Sequence, residues 1–453
     1  MSHYKIVEGQ GPVIISGVKT MRHGFGDQEV IYAKKGVQVL TYNVLSPAYC
    51  SATLFPKCVP GYCAAAYRLE TLKKRLSKEL LTSSPIICLQ EVSQDWADLL
   101  QVFFHENGYS FIASNYGVPK SGYMGVGIAF PRLRYELLDV KTIRVSDSKR
   151  GGWKNPKPKA SATPCEPTPT ATLVASLHAG ARDALLAALS AAYALTRIAW
   201  QAVKGRLARL DASAGGATKP QAEPELSPWE QASKPFNALV TLRLRLLSGD
   251  EEFAIGTYHM PCQFLRPDVM SIYAAMCAQA MENAHPEHLP LILAGDFNIK
   301  PSGPQYALLT GAPLPQFVDD PADPAVHGKA TLPLEQCYPG DTFAFTVWRG
   351  PFKSAYATVK GSEPPFTTFA CMNWGYGEGD KTFKGTLDYI FYRSGVGPRT
   401  LAIKPTKVRD LELDYADIEL AQSLPTREQP SDHLMLGAEF AFGHHEAPSP
   451  WAE

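Results

Sequence analysis

Six short apolar runs in this chain end on, or open with, a polar residue of a narrow chemical kind. "VLTYN" ends at Asn43, "IICLQE" at Glu91 and "FAIGTYH" at His259. "LILAGDFN" closes on Asp296 and Asn298, "GTLDYIF" presents Asp388, and "PSDHLML" presents Asp432 and His433 just before a strand. A short apolar run bounded by turn residues reads as a buried strand. In a β-sandwich, strand ends along one edge converge on a common mouth. The pattern predicts buried strands that bring carboxylates, carboxamides and imidazoles to one place.

Helices fit between these strands. "YRLETLKKRLSKELLT" carries Leu69, Leu72, Leu76 and Leu80 on one face, and "WADLLQVFFHENG" reads as a helix stopped at Gly108. "VMSIYAAMCAQAMENA" reads as a helix leading to "LPLILAGDFN". "MGVGIAF" and "RYELLDV" read as two strands of a hairpin around 131–133. Strands that each neighbour a helix or a long loop predict a layered α/β or α+β sandwich. The 453 residues, 45% hydrophobic, are enough for one large core.

The texture breaks once. Residues 154–172 are rich in Pro, Thr and Ala and read as an extended spacer. Residues 173–210 are Ala/Leu-rich and helical in pattern, with Arg182, Arg197, Lys204, Arg206 and Arg209 against Asp183 alone. The expected organisation is an N-terminal extension (1–36), a single catalytic domain (37–144 and 231–442), an insertion (145–230) and a tail (443–453). The insertion helix has the composition to contact RNA, an anionic membrane surface or a protein partner, and equally to pack as an idle appendage or stay partly disordered.

Each polar strand end also has an ordinary reading. Asp–Phe–Asn after a strand is a common turn. Glu91 suits a cap for the helix beginning near Asp95, and a single buried histidine such as His259 is unremarkable. The joint occurrence in one chain favours a site. The set is rich in oxygen and lacks a Cys–His pattern, so Mg²⁺ or Mn²⁺ fits better than Zn²⁺. Such ions serve phosphate chemistry. A carboxylate then orients or deprotonates water, and Asn and His donate to phosphoryl oxygens.

Other features narrow the class. Nine cysteines at irregular spacing suggest reduced thiols rather than a disulfide framework. Cys50, Cys58 and Cys63 are the only cluster, and no CxxC pair marks a metal site there. The N-terminus has no secretory pattern, and no apolar run is long enough to span a membrane. An intracellular protein, cytoplasmic or nuclear and monomeric, is expected. Lys+Arg and Asp+Glu both total 44, so any affinity for nucleic acid is local and a dedicated duplex-binding enzyme is disfavoured.

At these residues the chain resembles the endonuclease/exonuclease/phosphatase superfamily, which shares the deoxyribonuclease-I-like fold. "LTYNVLSP", "CLQEV", "GTYHMPC", "AGDFNIKPSG", "GTLDYIFY" and "PSDHLMLGAEF" fall in the superfamily's order. "TYNVLSPAY", "FKGTLDYIFY" and "LPTREQPSDHLMLGAEF" look most like the branch of carbon-catabolite-repression deadenylases, nocturnin, angel proteins and the 2′,5′-phosphodiesterase. The resemblance implies a four-layer α/β sandwich, two mixed sheets packed face to face between helices. It implies Glu91 as the main Mg²⁺ ligand (or Mn²⁺) with Asn43 beside it and Asp432 near the metal. Asp296 would position and activate water, and Asn298 and His259 would contact the scissile phosphate. His433 would stabilise the transition state, with Asp388 orienting it or joining the metal shell. Phe383 would stack on a substrate base, and Asn237 matches a looser substrate-binding position. "MPCQFLRPD" departs from the branch's aromatic-rich loop after His259, which puts adenine preference in doubt. The implied activity is 3′→5′ hydrolysis of single-stranded RNA. Small phosphoesters (2′,5′-oligoadenylate, a nucleotide cofactor, an inositol phosphate, sphingomyelin), an abasic-site endonuclease and a non-catalytic scaffold are the alternatives.

Overall fold

Two six-stranded mixed sheets organise the described residues, and each is built around one parallel pair. The computed structural model describes residues 36–148, 226–313, 349–373, 381–397, 400–411 and 422–444, with Tyr415, Ile418 and a few short strands elsewhere. Most of the expected insertion (149–225), and most of the N-terminal extension and the tail, lie outside the described residues. Four short strands within 4–31 form a separate sheet of their own.

The first sheet has the order Leu401–Val408, Leu436–His444, Val37–Asn43, Ile86–Val92, Gly125–Pro131, Tyr109–Asn115. Only Val37–Asn43 and Ile86–Val92 run parallel. The second sheet has the order Lys353–Ser354, Asp388–Arg393, Leu291–Asp296, Glu252–His259, Ala238–Leu246, Tyr135–Arg144. Its one parallel pair is Glu252–His259 with Leu291–Asp296. The central strands are apolar throughout because both of their faces are covered. Side chains alternate across a strand. Val37, Val39, Ile86 and Cys88 pack inward, against Val240, Leu242, Ile255, Ile292 and Ile390 of the second sheet. Leu40, Tyr42, Ile87 and Leu89 face outward, against helices Ala65–Ser83 and Gln94–Glu106. On the other side, helix Pro267–Ala284 covers Leu239, Ala254, Leu291 and Leu293. The layers are therefore helix, sheet, sheet and helix.

The Ala65–Ser83 helix buries Leu69, Leu72, Leu76 and Leu80, the predicted stripe. The Gln94–Glu106 helix is capped by Ser93, whose side chain accepts from Trp96 N, so Glu91 is left for other work. The hairpin expected around 131–133 is not formed. Gly125–Pro131 already has partners on both edges, Ile86–Val92 and Tyr109–Asn115. With no free edge there, Tyr135–Arg144 crosses to the second sheet and pairs with Ala238–Leu246. Arg134 pins the crossover by donating to the carbonyls of Gly36, Ser83 and Ser84.

Strand direction places the site. Asn43 and Glu91 lie at the carboxyl end of the first parallel pair, and His259 and Asp296 at that of the second. Asp388 starts an antiparallel strand exactly opposite Asp296. Just beneath, Gln90 Nε2 donates to Thr41 Oγ1 (3.0 Å) and to Thr257 Oγ1 (2.9 Å), a polar clasp between the sheets.

Candidate active site

Local backbone features aim the side chains. Glu91 sits at φ 59°, where the pairing of Ile86–Val92 with Gly125–Pro131 slips by a residue. A bulge of this kind re-aims a side chain at a strand end. Gly295 precedes Asp296, and a Cβ there would lie 2.0 Å from Tyr258 O. Only glycine lets the strand pass that close. Asn298 also takes a left-handed conformation, φ 52°, which Asn tolerates.

Asn43 joins the two sheets. Its Nδ2 donates to Glu91 Oε1 (3.1 Å) and to Asp296 Oδ2 (3.0 Å). Its Oδ1 accepts from Leu45 N at 2.9 Å, which fixes the amide's orientation. Glu91 Oε2 accepts from Ser46 N at 2.8 Å. His259 Nε2 lies 3.6 Å from Asp296 Oδ2 and 4.0 Å from Glu91 Oε1. Asp296 Oδ1 accepts from Asn298 N (2.9 Å), and Asn298 Nδ2 donates to Met260 O (2.8 Å).

The other half centres on His433. Its Nδ1 is 2.8 Å from Asp388 Oδ2 and 3.0 Å from Thr368 Oγ1. Its Nε2 faces Asp296 Oδ2 at 3.7 Å. Thr367 Oγ1 donates to the same Asp388 oxygen at 2.6 Å. Ser431 Oγ donates to Asn43 O (2.7 Å) and accepts from His433 N (3.2 Å), tying the His433 loop to the first sheet. Arg68, fully buried, donates to Pro430 O (2.6 Å), to Val44 O (2.7 Å) and to Leu45 O, and its guanidinium lies 5.1 Å from the Trp96 ring centre. It clamps together the loops that follow Asn43 and precede His433.

Electrostatics follow from burial. Burial raises the Asp296 pKa to about 6, with His433 pulling it down and Asp388 pushing it up. Burial opposes charge on His433, but Asp388, Asp296 and Asp432 outweigh it and hold the imidazole well above its usual range. Burial, with Glu91 adding, also raises Asp432.

The remaining sequence candidates are placed as follows. Asp432 is buried, with Oδ1 3.4 Å from Ser431 Oγ. Asn237 donates to His259 O (2.8 Å) and lies 3.4 Å from Tyr116 OH, so it holds His259 from behind. Phe383 is half-buried on strand Lys381–Gly385, with Lys300 Nζ 5.3 Å from its ring centre. Sequence reasoning missed Thr367, Thr368, Ser431, Ser46 and Arg68. It also missed Tyr116, whose phenol is raised by burial and by Glu91 and Asp296.

The donor set fits a hard divalent cation. Asp388 Oδ1 and His259 Nδ1 are buried without a hydrogen-bond partner. Asp296, Asp388 and His433 have ligand atoms close enough to share an ion. A charged His433 held by Asp388 is a poor ligand, however, because an imidazole must be neutral to coordinate. Glu91, whose side chain is 11% exposed and accepts from Asn43 and Ser46, offers the better oxygen. Asn43 lies within hydrogen-bond reach of both Glu91 and Asp296.

The chain is similar to "Carbon catabolite repressor protein 4 homolog 3" of Arabidopsis thaliana, 27% identical over 243 residues, 45% of this chain and 49% of that protein. It is 27% identical to Nocturnin of Drosophila melanogaster over 214 residues, 44% of this chain and 27% of that protein. The matched regions span half or less of these curated relatives. Its fold is like that of solved ANGEL2, described as a 2′,3′-cyclic phosphatase, with a TM-score of 0.54, 16% identity, and coverage of 89% of this chain and 95% of ANGEL2. The model of the endonuclease/exonuclease/phosphatase family matches residues 40–433. The match opens on the strand that ends at Asn43 and closes on His433 itself, so the chain belongs to the endonuclease/exonuclease/phosphatase family.

Proposed function

We propose that this chain is a Mg²⁺-dependent phosphodiesterase that removes nucleoside 5′-monophosphates from the 3′ end of single-stranded RNA. The observation that carries the hydrolytic reading is the Asn43 amide bonded at once to Glu91 and Asp296, opposite an imidazole charged by Asp388. Similarity to a protein described as a CCR4-Not complex 3'-5'-exoribonuclease subunit, 29% identical over 164 residues, supports RNA as the substrate class.

Mg²⁺ held by Glu91 with Asn43 would shield the phosphate's charge and increase the acidity of a bound water. Asp296, in its ionised form, accepts the proton of the attacking water. Asn43 keeps Asp296 aimed by holding Oδ2. His259 and Asn298 bracket the phosphate beside Asp296. His433 points Nε2–H at the phosphoryl oxygens as negative charge builds, because Asp388 fixes its Nδ1–H. The water oxygen bonds to phosphorus, the bond to the bridging 3′-oxygen breaks, that oxygen takes a proton from solvent to leave as a 3′-hydroxyl, and the nucleotide departs with a 5′-phosphate. Phe383 offers a stacking face for the terminal base, a contact worth about 1–3 kcal/mol per base.

The test is hydrolysis of a 5′-labelled RNA ending in an A-tail, with Mg²⁺ or EDTA, for wild type and Asp296→Ala. A ladder shortening from the 3′ end, absent with EDTA and in the variant, supports the proposal. Inert RNA alongside hydrolysis of a small phosphate ester would move the substrate to small phosphoesters and leave the hydrolytic site standing.

A further inference from the structure

The helix Ala65–Ser83 carries a second stripe besides its buried leucines. Tyr67, Glu70, Thr71, Lys74 and Lys78 recur at three- and four-residue spacing and share one largely exposed face. That face is not open helix surface. The loop 426–430 stands beside it, and the two enclose a groove of about 740 Å³. Tyr67 OH donates to Arg427 O (3.1 Å) and Arg75 Nη1 to Glu428 O (3.1 Å), which holds the loop in place. Tyr62 stacks on Tyr67 with ring centres 5.3 Å apart, yet Tyr67 stays 37% exposed. Lys74, Arg75, Lys78 and Arg427 line the groove against Glu70 and Glu428. Glu70 is taken by Lys73 at 3.2 Å. Among the described residues, Lys74 and Lys78 form no ion pair.

We propose that this groove holds the 5′-ward part of a single-stranded RNA whose 3′ end lies in the active site. The inference rests on the RNA reading above. Lysine ammonium groups suit phosphates, and the exposed Tyr67 ring offers a base a stacking face. An aromatic platform in a positive groove holds single strands without reading their sequence. An acidic peptide would meet the lysines but leave the ring unused.

The groove adjoins the site. Arg68, next to Tyr67 in the helix, donates to the carbonyls of Val44, Leu45 and Pro430. From Glu428 the chain reaches His433 in five residues, a span of at most about 18 Å. About five nucleotides cover it at a stacked rise of about 3.4 Å each. A longer strand is held at both places, and a strand trimmed below that length loses its second hold. Hydrolysis therefore favours tails and slows as the tail approaches the reach of the groove.

The test uses the full chain with Lys74→Glu and Lys78→Glu together, both exposed positions, and separately Tyr67→Ala and Tyr67→Phe. Binding of a labelled A-tail is measured in EDTA, where nothing is cleaved, across a salt series. Hydrolysis of the tail and of an A-trinucleotide is measured with Mg²⁺. The lysine variant should bind the tail about tenfold more weakly and lose about 1.4 of the slope of log affinity against log salt, for two phosphates. Tyr67→Ala should weaken binding about fivefold or more, and Tyr67→Phe should keep it. For the tail KM rises while kcat holds, and the trinucleotide rate does not change. Tail affinity unchanged in the lysine variant and in Tyr67→Ala overturns the groove, while cleavage of the tail keeps the proposed function. Groove-dependent binding of a tail that is never cleaved keeps the groove and overturns that function. A trinucleotide rate that falls as far as the tail rate overturns the groove as a second hold. Vesicles of phosphatidylserine and phosphatidylcholine that bind wild type but not the lysine variant, with tail affinity unchanged, would assign the groove to a membrane surface and overturn the proposal.

Discussion

Arg68→Met tests whether the active site is clamped from below. Arg68 is fully buried and serves three carbonyls, those of Val44, Leu45 and Pro430. Methionine matches much of its volume but offers no donor. A buried acceptor left unpaired costs about 1–3 kcal/mol, so three would cost roughly 3–9 kcal/mol. The substitution also removes the desolvation of a buried charge, which offsets several kcal/mol of that. A net loss of about 1–5 kcal/mol follows. Arg68→Lys keeps the charge but not the fork, and its point charge reaches fewer carbonyls, so its loss is smaller. The readouts are urea unfolding and steady-state hydrolysis. Because Arg68 spans the Asn43 and His433 loops, kcat falls in both variants while KM changes little. Stability within about 0.5 kcal/mol of wild type in Arg68→Met, or a change confined to KM, would refute the clamp.

Other outcomes follow from single contacts. Asp388→Asn removes the charge that holds His433 protonated, and kcat should fall by about 10²–10⁴ with the fold intact by circular dichroism. Gly295→Ala puts a Cβ 2.0 Å from Tyr258 O and should lower stability by more than about 3 kcal/mol, measured by thermal unfolding. His285, away from the site, has its pKa lowered to about 4, first by burial and then by Lys141. It stays neutral in the fold while the unfolded chain takes up a proton, so stability is lost as pH falls from about 6.5 to about 4. At about 1.4 kcal/mol per pH unit the loss is at most about 3 kcal/mol, and His285→Gln should flatten that part of the stability–pH curve.

The fold was legible because its strands are buried on both faces and so read as unbroken apolar runs. Their polar ends were legible together, since a turn explains Asp296 alone but not six such ends in one chain. The crossover at Arg134 was not, because two adjacent apolar runs look alike whether they pair or part. What decides is that Gly125–Pro131 has both edges taken, a fact about distant strands. Thr367 and Thr368 gave no signal, since threonines are ordinary in strands. Ser431 reads as turn chemistry, and Arg68 sits beside a leucine stripe that explains the helix without it. Asn237 was legible only through the family resemblance, and its contact with the His259 carbonyl depends on how the strands align.

The most direct test of the central claim is the position of a metal. Anomalous diffraction from crystals soaked in Mn²⁺ should show a peak against the Glu91 carboxylate, on the side of Asn43 and Asp296. The same crystals of Glu91→Gln should lose it. A peak instead between Asp388 and His433, or none at millimolar Mn²⁺, would contradict the assignment of Glu91 as the metal-holding residue and of His433 as the charged donor.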